Sequence, residues 1–396
     1  MDVSLVLFMV LTFQGIFANS NRTVSFETIN TFLMEVFADD LRHEALVSEL
    51  KKSSSDVICL QEVWSDLRLS RLCENLAVSY PYSYSSLHAK DGFLPVSLGS
   101  MQSKCRKGAL ERVLECSVSA CKNERSLDKF FECNFKKCKI LQTLGAKCFE
   151  CYVMQANICK YKTSTRLSLT EFLICLTNDL FSQNGMCTQL GSEPNRNLGL
   201  LILSKIPLRV DSLTTFIYNE NVIIKRGILE AKLEDEYESL VSCTHLSADS
   251  SSFFDYAAGF NSWFELKQDE INTLINRYSG KSNVYIMGDF NVGPELPKEN
   301  INGYFPELYK KLSDSGFNNL AVDYLHLCSF CKKNMLVKVV YKEKAENLII
   351  DGIIPLKVSR EFKTIKRTAM KNISLPLNFD FCVSDHWGIK ASFYDY

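Results

Sequence analysis

Several things are missing from this chain. Outside its first twenty residues no stretch reaches the roughly 18 apolar residues that a membrane-spanning helix needs, so the mature chain is expected to have no transmembrane segment. Net charge is nearly absent, −1 at pH 7, which excludes binding to nucleic acid by bulk positive charge and leaves only local patches to do so. There is no internal repeat and no low-complexity tract, so solenoids and disordered arrays drop out. Histidine is scarce at five residues, and the setting of each therefore carries weight.

What is present is enough for a large buried core. Hydrophobic residues make up 46% and aromatic residues 11% of 396 positions, a length that fits two average domains or one large domain with an insertion. Residues 1–20 read as a secretory signal peptide. Leu5 to Phe13 form a short apolar run, and Ala18-Asn19-Ser20 offers a small-x-small cleavage site, although Asp2 stands where a positive charge is usual. Sixteen cysteines suit an oxidising compartment, and ten of them, Cys105 to Cys187, crowd together. Sequons at Asn21 and Asn372 fit a glycoprotein. The expected location is extracellular or the lumen of the secretory pathway.

The pattern along the chain alternates strand and helix. Val24–Asn30 predicts a strand, and Asp39–Lys52 predicts an amphipathic helix burying Leu41, Ala45, Leu46 and Leu50. Asp56–Leu60 is an apolar run of the kind buried inside a sheet. A helix over Asp66–Ala77 and an aromatic strand over Tyr80–Ser85 follow. Residues 101–194 read as a cysteine-rich insertion of short helices stapled by disulfides. Its residues 101–190 hold fourteen Lys plus Arg against eight Asp plus Glu, so this block is locally basic. Strand character resumes at Leu198–Leu203 and continues at Leu208–Tyr218, Ile223–Leu233 and Ser239–His245. Then come a helix over Phe253–Tyr278, a strand at Val284–Met287, a helix at Pro306–Asp314, and strands at Leu336–Tyr341, Leu348–Ile354 and Gly388–Phe393. Strands with helices between them imply packed sheets covered by helices.

Polar residues stand where these apolar runs stop. Asp289 and Asn291 follow an apolar strand and Gly288, and in extended geometry they face the same way. Such a pair can hold a hard cation and a phosphate oxygen, or can merely cap a turn. Glu62 follows a buried run and needs pairing, hydration or a metal unless it is simply exposed. Ser384-Asp385-His386 sets a potential metal ligand beside a potential general base. His245 ends another strand, where a structural role competes with a chemical one. Cys59 and Cys243 lie in apolar strands and are expected as plain core residues. Cys148-x-x-Cys151 and Cys328-x-x-Cys331 have zinc-like spacing, but no companion histidines support zinc, and secretion favours disulfides.

The ordered set Thr28-Ile29-Asn30, Leu60-Gln61-Glu62, Gly199–Ser204, Thr244-His245-Leu246, Gly288-Asp289-Phe290-Asn291, Ile350-Asp351 and Ser384-Asp385-His386 closely resembles the endonuclease/exonuclease/phosphatase superfamily. The resemblance covers about 23–100 and 195–396, the expected catalytic domain. It implies a four-layer α/β sandwich, two mixed sheets packed face to face and flanked by helices, with the site at one rim and the basic insertion near that rim. It further implies a magnesium ion, with manganese or calcium as alternatives. Glu62 would bind the metal, Asn30 would help hold metal and phosphate, and Asp385 would complete the metal site. Asp289 and Asn291 would position phosphate and attacking water. His386 would be the base, oriented by Asp351, while His245 would stabilise phosphate charge or protonate the leaving oxygen. One departure is that Ile349-Ile350-Asp351-Gly352 lacks the Arg the family often carries there.

The expected activity is metal-dependent phosphodiester hydrolysis by water. The residue runs around Glu62, Tyr80-Pro81-Tyr82 and Thr244–Ala248 look more like neutral sphingomyelinases than like nucleases, which ranks a phospholipid head group first. The alternatives are a secreted deoxyribonuclease-like endonuclease and a catalytically silent secreted binding protein. The basic insertion suits a nucleic-acid backbone and peripheral contact with an anionic membrane equally well.

Overall fold

The computed structural model describes residues 23–33, 39–89, 92–93, 107–124, 127–144, 148, 152, 159, 169–181, 197–219, 225–250, 260–341, 345–368, 372–374 and 380–395. The expected signal segment, Asn21, Cys105, Cys151, Cys187 and the start of the helix expected from Phe253 lie outside them.

The chain opens with strand β1 (Thr23–Leu33), helix α1 (Asp39–Lys52), β2 (Val57–Val63), α2 (Asp66–Leu76) and β3 (Tyr82–Ser85), followed by the short pair β4 (His88–Ala89) and β5 (Gly92–Phe93). Helices α3 (Lys107–Cys121), α4 (Leu127–Cys138), α5 (Ile140–Leu144) and α6 (Leu169–Phe181) come next. Then follow β6 (Leu201–Ser204), β7 (Thr214–Ile217), β8 (Gly227–Lys232), β9 (Leu240–His245), α7 (Trp263–Tyr278), β10 (Val284–Asp289), α8 (Pro306–Asp314) and α9 (Met335–Tyr341). The last strands are β11 (Asp351–Leu356), β12 (Phe362–Thr368), the hairpin β13 (Asn372–Ser374) with β14 (Asp380–Cys382), and β15 (Gly388–Tyr394).

Two mixed sheets carry the architecture, a six-stranded one in the order β12-β15-β1-β2-β6-β3 and a five-stranded one in the order β11-β10-β9-β8-β7. Side-chain alternation explains how they meet. Val24 and Phe26 of β1, Val57 and Cys59 of β2, Val241 and Cys243 of β9, Tyr285 and Met287 of β10 and Ile353 of β11 form one shared core between the sheets. Phe26 stacks on Tyr285 there with ring centroids 4.0 Å apart. The opposite parity faces outward. Ile29, Ile58 and Leu60 pack under α1 and α2, and Val284, Ile286 and Ile354 pack under α7 and α8. The result is four layers, as expected. The helices α3 to α6 bury their own cluster, including Leu110, Phe130, Ile140 and Phe172, stapled by Cys116–Cys138, Cys121–Cys133 and Cys159–Cys175.

Four expectations need correction. Cys59 and Cys243 are not free core residues; they join in a disulfide that ties β2 of one sheet to β9 of the other. Residues 336–341 form α9 and not a strand. Their β-branched run is overridden by Asn334, whose Oδ1 accepts the Leu336 N–H while its Nδ2 donates to Ser384 O, starting a turn and anchoring it. Leu41 is 44% exposed, because α1 turns Arg42, His43, Leu46, Val47 and Leu50 inward instead. The Arg42 Nη1 donates to the carbonyls of Phe32, Thr31 and Val383, so a buried guanidinium satisfies backbone freed where β1 breaks off. Finally, β12 extends the sheet beside β15 at a place where no strand was expected.

Candidate active site

The inner-face parity that builds the core also builds the site. Along β1 the inward series Val24, Phe26, Thr28 ends in Asn30; along β9 Val241 and Cys243 lead to His245; along β10 Tyr285 and Met287 lead to Asp289. Apolar residues fill the middle of the sandwich, and the next positions of the same parity surface at its rim as polar groups. Register then sets them side by side, since Asp289 pairs directly with His245 on one flank and Asp351 on the other. Such close strand approach explains Gly288, where a Cβ would fall 2.0 Å from Thr244 O.

Glu62 breaks the alternation. Its φ of 62° lies in the left-handed region, an uncommon state for a residue with a side chain and a feature of functional sites. The turn brings the carboxylate to the Asn30 amide, whose Nδ2 donates to Glu62 Oε1 at 3.1 Å and to Asp289 Oδ2 at 3.0 Å. The Asn30 Oδ1 meanwhile accepts the Phe32 N–H. Asn30 thus bridges two carboxylates through its NH2 group.

Asn291 does not share a direction with Asp289 in an extended strand. The chain bends at once, with φ 49° at Asn291, and the Asn291 N–H donates back to Asp289 Oδ1 at 2.9 Å. Its Nδ2 donates to Leu246 O. Behind this turn the buried Lys267 ammonium donates to Asn291 O at 2.6 Å; burial pulls its pKa down to about 7.

On the other side, Asp351 Oδ2 lies 2.7 Å from His386 Nδ1. The acid-bound ring nitrogen carries the proton, so His386 Nε2 faces Asp289 Oδ2 at 4.0 Å and Asp385 Oδ1 at 3.9 Å. Burial lowers the His386 pKa, but Asp351 and Asp385 raise it by more, and the net value stands well above the ordinary one. His245 is held the opposite way. Burial, and then the Arg226 charge, bring it well below the ordinary value, so its ring is neutral.

The carboxylates are crowded. Burial and the neighbouring Asp351 push Asp289 up to about 7. Burial pushes Asp385 up to about 6, with the Glu62 charge adding to it. Asp289, Asp351 and His386 also present ligand atoms within 4.8 Å of one another. Congested acidic oxygens whose charge is unfavourable without a counter-cation fit a hard divalent ion with oxygen ligands.

All eight residues expected from the sequence thus meet at one rim, with Asn291 contributing through its backbone turn. Arg226 was missed. Its signal was a basic residue inside the apolar run Ile223–Leu233, and it is 7% exposed with Nη1 2.6 Å from His245 Nδ1. Trp64, whose ring lies 5.2 Å from the Arg226 Cζ, was missed with it.

The Endonuclease/Exonuclease/phosphatase family model matches residues 36–298. No curated protein matches the chain. Among solved structures, SmcL is similar at 14% identity, covering 94% of this chain and 99% of that one, with a TM-score of 0.51. The beta toxin of Staphylococcus aureus carrying bound magnesium ions is similar at 14% identity, covering 93% and 99%, with a TM-score of 0.51. TDP2 of D. rerio, complexed with single-strand DNA product, is similar at 10% identity, covering 94% and 99%, with a TM-score of 0.50.

Proposed function

The chain belongs to the endonuclease/exonuclease/phosphatase family, and from that premise we propose a secreted, magnesium-dependent phosphodiesterase acting first on a phospholipid head group of the sphingomyelin kind. Family members are hydrolases of phosphodiester bonds, so the coarse reaction follows from membership. The observation that supports the reading best is the convergence of Asn30, Glu62, His245, Asp289, Asp351, Asp385 and His386, gathered from both sheets by parity and register.

Glu62 and Asp385 would hold the cation, and Asn30 fixes the Glu62 carboxylate through its Nδ2. The cation, when bound, offsets negative charge on the phosphate oxygens. Asp351 holds the proton on His386 Nδ1, which leaves Nε2 as the atom that takes the proton from attacking water. That role needs Nε2 unprotonated, so the base form builds up on the alkaline side of the raised His386 value. Asp289 and the Asn291 turn, backed by Lys267, orient water and phosphate. Arg226 can only donate, and its Nη1 lies closer to His245 Nδ1 (2.6 Å) than to Nε2 (3.2 Å), so Nδ1 is the acceptor and the ring proton sits on Nε2. His245 therefore acts as a neutral donor to phosphate oxygen rather than as a proton source for the leaving group.

In this reading the catalytic domain spans 23–100 and 195–396, and residues 101–194 form a disulfide-stapled insertion whose basic surplus contacts an anionic membrane surface. A nucleic-acid backbone fits that surplus as well, which keeps a secreted nuclease as the second reading. No described helix is long and apolar enough to cross a membrane. The deciding assay compares phosphocholine release from sphingomyelin vesicles with nicking of plasmid DNA, each with magnesium and with a chelator. Release from vesicles that chelator abolishes supports the lipid reading. DNA digestion without lipid turnover replaces it with the nuclease, and no hydrolysis of either overturns both.

A further inference from the structure

Ser329 and Phe330 sit inside a small loop closed by the Cys328–Cys331 disulfide, three positions apart in sequence. Both are buried. The Ser329 Oγ accepts the backbone N–H groups of Ile350 and Asp351, each at 3.1 Å, and Ser329 O accepts the Trp387 N–H at 2.8 Å. Phe330 reaches the same two segments. Its backbone bridges to Leu348 and to His386, and its ring meets the His386 imidazole edge-on with centroids 5.2 Å apart. One short covalent loop therefore grips the segment carrying Asp351 and the segment carrying His386.

The cystine is placed to exchange. Cys331 is 1% exposed, whereas Cys328 is only half-buried. The Arg367 Nη1 lies 3.4 Å from Cys331 Sγ and 3.7 Å from Cys328 Sγ, a cationic neighbour that stabilises a thiolate leaving group. The other cystine near the site, Cys59–Cys243, is fully buried at both ends. Of these two cystines, a thiol in solution meets Cys328 first.

We propose that the Cys328–Cys331 loop is a thiol-sensitive positioning element for the Asp351–His386 pair. Closed, it fixes the geometry in which Asp351 orients the imidazole; opened, it slackens that geometry and lowers turnover. Ser329 and Phe330 are positioning residues, acting through His386 and Asp351. The opening step is exchange with an external dithiol. One thiolate of the dithiol attacks Cys328 Sγ, the Cys328–Cys331 bond breaks, and Cys331 departs as a thiolate beside Arg367. The second thiolate of the dithiol then attacks its partner sulfur in the mixed disulfide, closing the reductant's own disulfide and releasing Cys328. Two electrons pass to the protein cystine, and the two protons lost by the dithiol end on Cys328 and Cys331.

The inference rests on the phosphodiesterase reading above, and its test separates the two. The full chain with magnesium is exposed to limiting dithiothreitol, alkylated at intervals and peptide-mapped, while hydrolysis of bis(p-nitrophenyl) phosphate is followed. Cys328 and Cys331 should be labelled before Cys59 and Cys243. As they are, kcat should fall about tenfold with KM changed by less than about twofold, and the limb of the pH profile set by His386 should move. Reoxidation should restore the rate, and Cys328→Ser with Cys331→Ser should match the reduced protein. Unchanged kcat in protein labelled at both positions overturns the proposal, as does a loss that follows Cys59 and Cys243 instead. If the double variant does not fold, the selectively reduced natural chain carries the test. The low-field N–H proton resonance of His386 against Asp351 gives a readout without activity: it should move or vanish on opening, and constancy overturns the positioning role. A chain that hydrolyses no ester sinks the functional reading, while that resonance still decides this one.

Discussion

Arg226 Nη1 lies 2.6 Å from His245 Nδ1 in a buried setting, and an arginine can only donate. The same Nη1 lies farther from Nε2, at 3.2 Å, so Nδ1 is the acceptor and the imidazole is the Nε2–H tautomer, with Nε2 facing Asp289 Oδ2 at 3.5 Å and Glu62 Oε1 at 3.9 Å. Arg226→Met should lower kcat by about 10- to 100-fold, and Arg226→Lys should recover part of the loss. The sign of the pH effect follows as well. Arg226 is one of the groups depressing the His245 pKa, so its removal raises that pKa and His245 protonates at higher pH. The acid limb of the variant's pH profile should therefore lie at higher pH than that of the natural chain; identical acid limbs would show that Arg226 does not govern this ring.

Cation binding should stabilise the protein more at alkaline than at acid pH. Asp289 and Asp385 sit at about 7 and about 6, above their ordinary value of 3.8, so the folded state holds protons that the unfolded chain has lost. Their contribution is complete below the unfolded value and disappears as pH rises through the folded ones. A divalent cation held by Glu62 and Asp385 would displace the Asp385 proton and favour the ionised form of nearby Asp289, so the rise in Tm on adding magnesium should be larger at about pH 8 than at about pH 5.5. Thermal melts with and without magnesium check this, and a shift larger at the acid pH would count against the assigned ligands.

Substitution of the reacting groups should separate chemistry from folding. His386→Ala and Asp289→Ala should each lower kcat by orders of magnitude while leaving the circular dichroism spectrum and the melt nearly unchanged. Asp351→Asn, which keeps the shape but loses the charge that orients His386, should cost roughly 10²- to 10⁴-fold. Retained turnover in His386→Ala and Asp289→Ala together would remove the assignment.

The cystine between the sheets should matter for stability more than for chemistry. Cys59 and Cys243 are 184 residues apart in sequence, so their bond removes a large amount of freedom from the unfolded chain. Replacing both by Ala should cost roughly 2–5 kcal/mol, measured by denaturant titration. Non-reducing peptide mapping should recover Cys116–Cys138, Cys121–Cys133 and Cys159–Cys175 from the insertion.

The sequence by itself determined what short-range periodicity can encode. The ends of Asp39–Lys52 and Pro306–Asp314 agree with the observed helices, and the strands carrying Asn30, His245 and Asp289 follow from apolar alternation. The polar residues at the ends of those runs also stood out, because a charge that follows a buried stretch needs a partner. Pairing across hundreds of positions was decided only by the tertiary structure. No local pattern says that β9 and β11 flank β10, that Cys59 meets Cys243, or that a run as strand-like as Leu336-Val337 is pinned into a helix by Asn334. Arg42 shows the same limit, since a guanidinium reads as a surface group until the carbonyls of Phe32 and Val383 are brought to it. Alternation tells which way a side chain points, while only the assembled sheets tell what it points at.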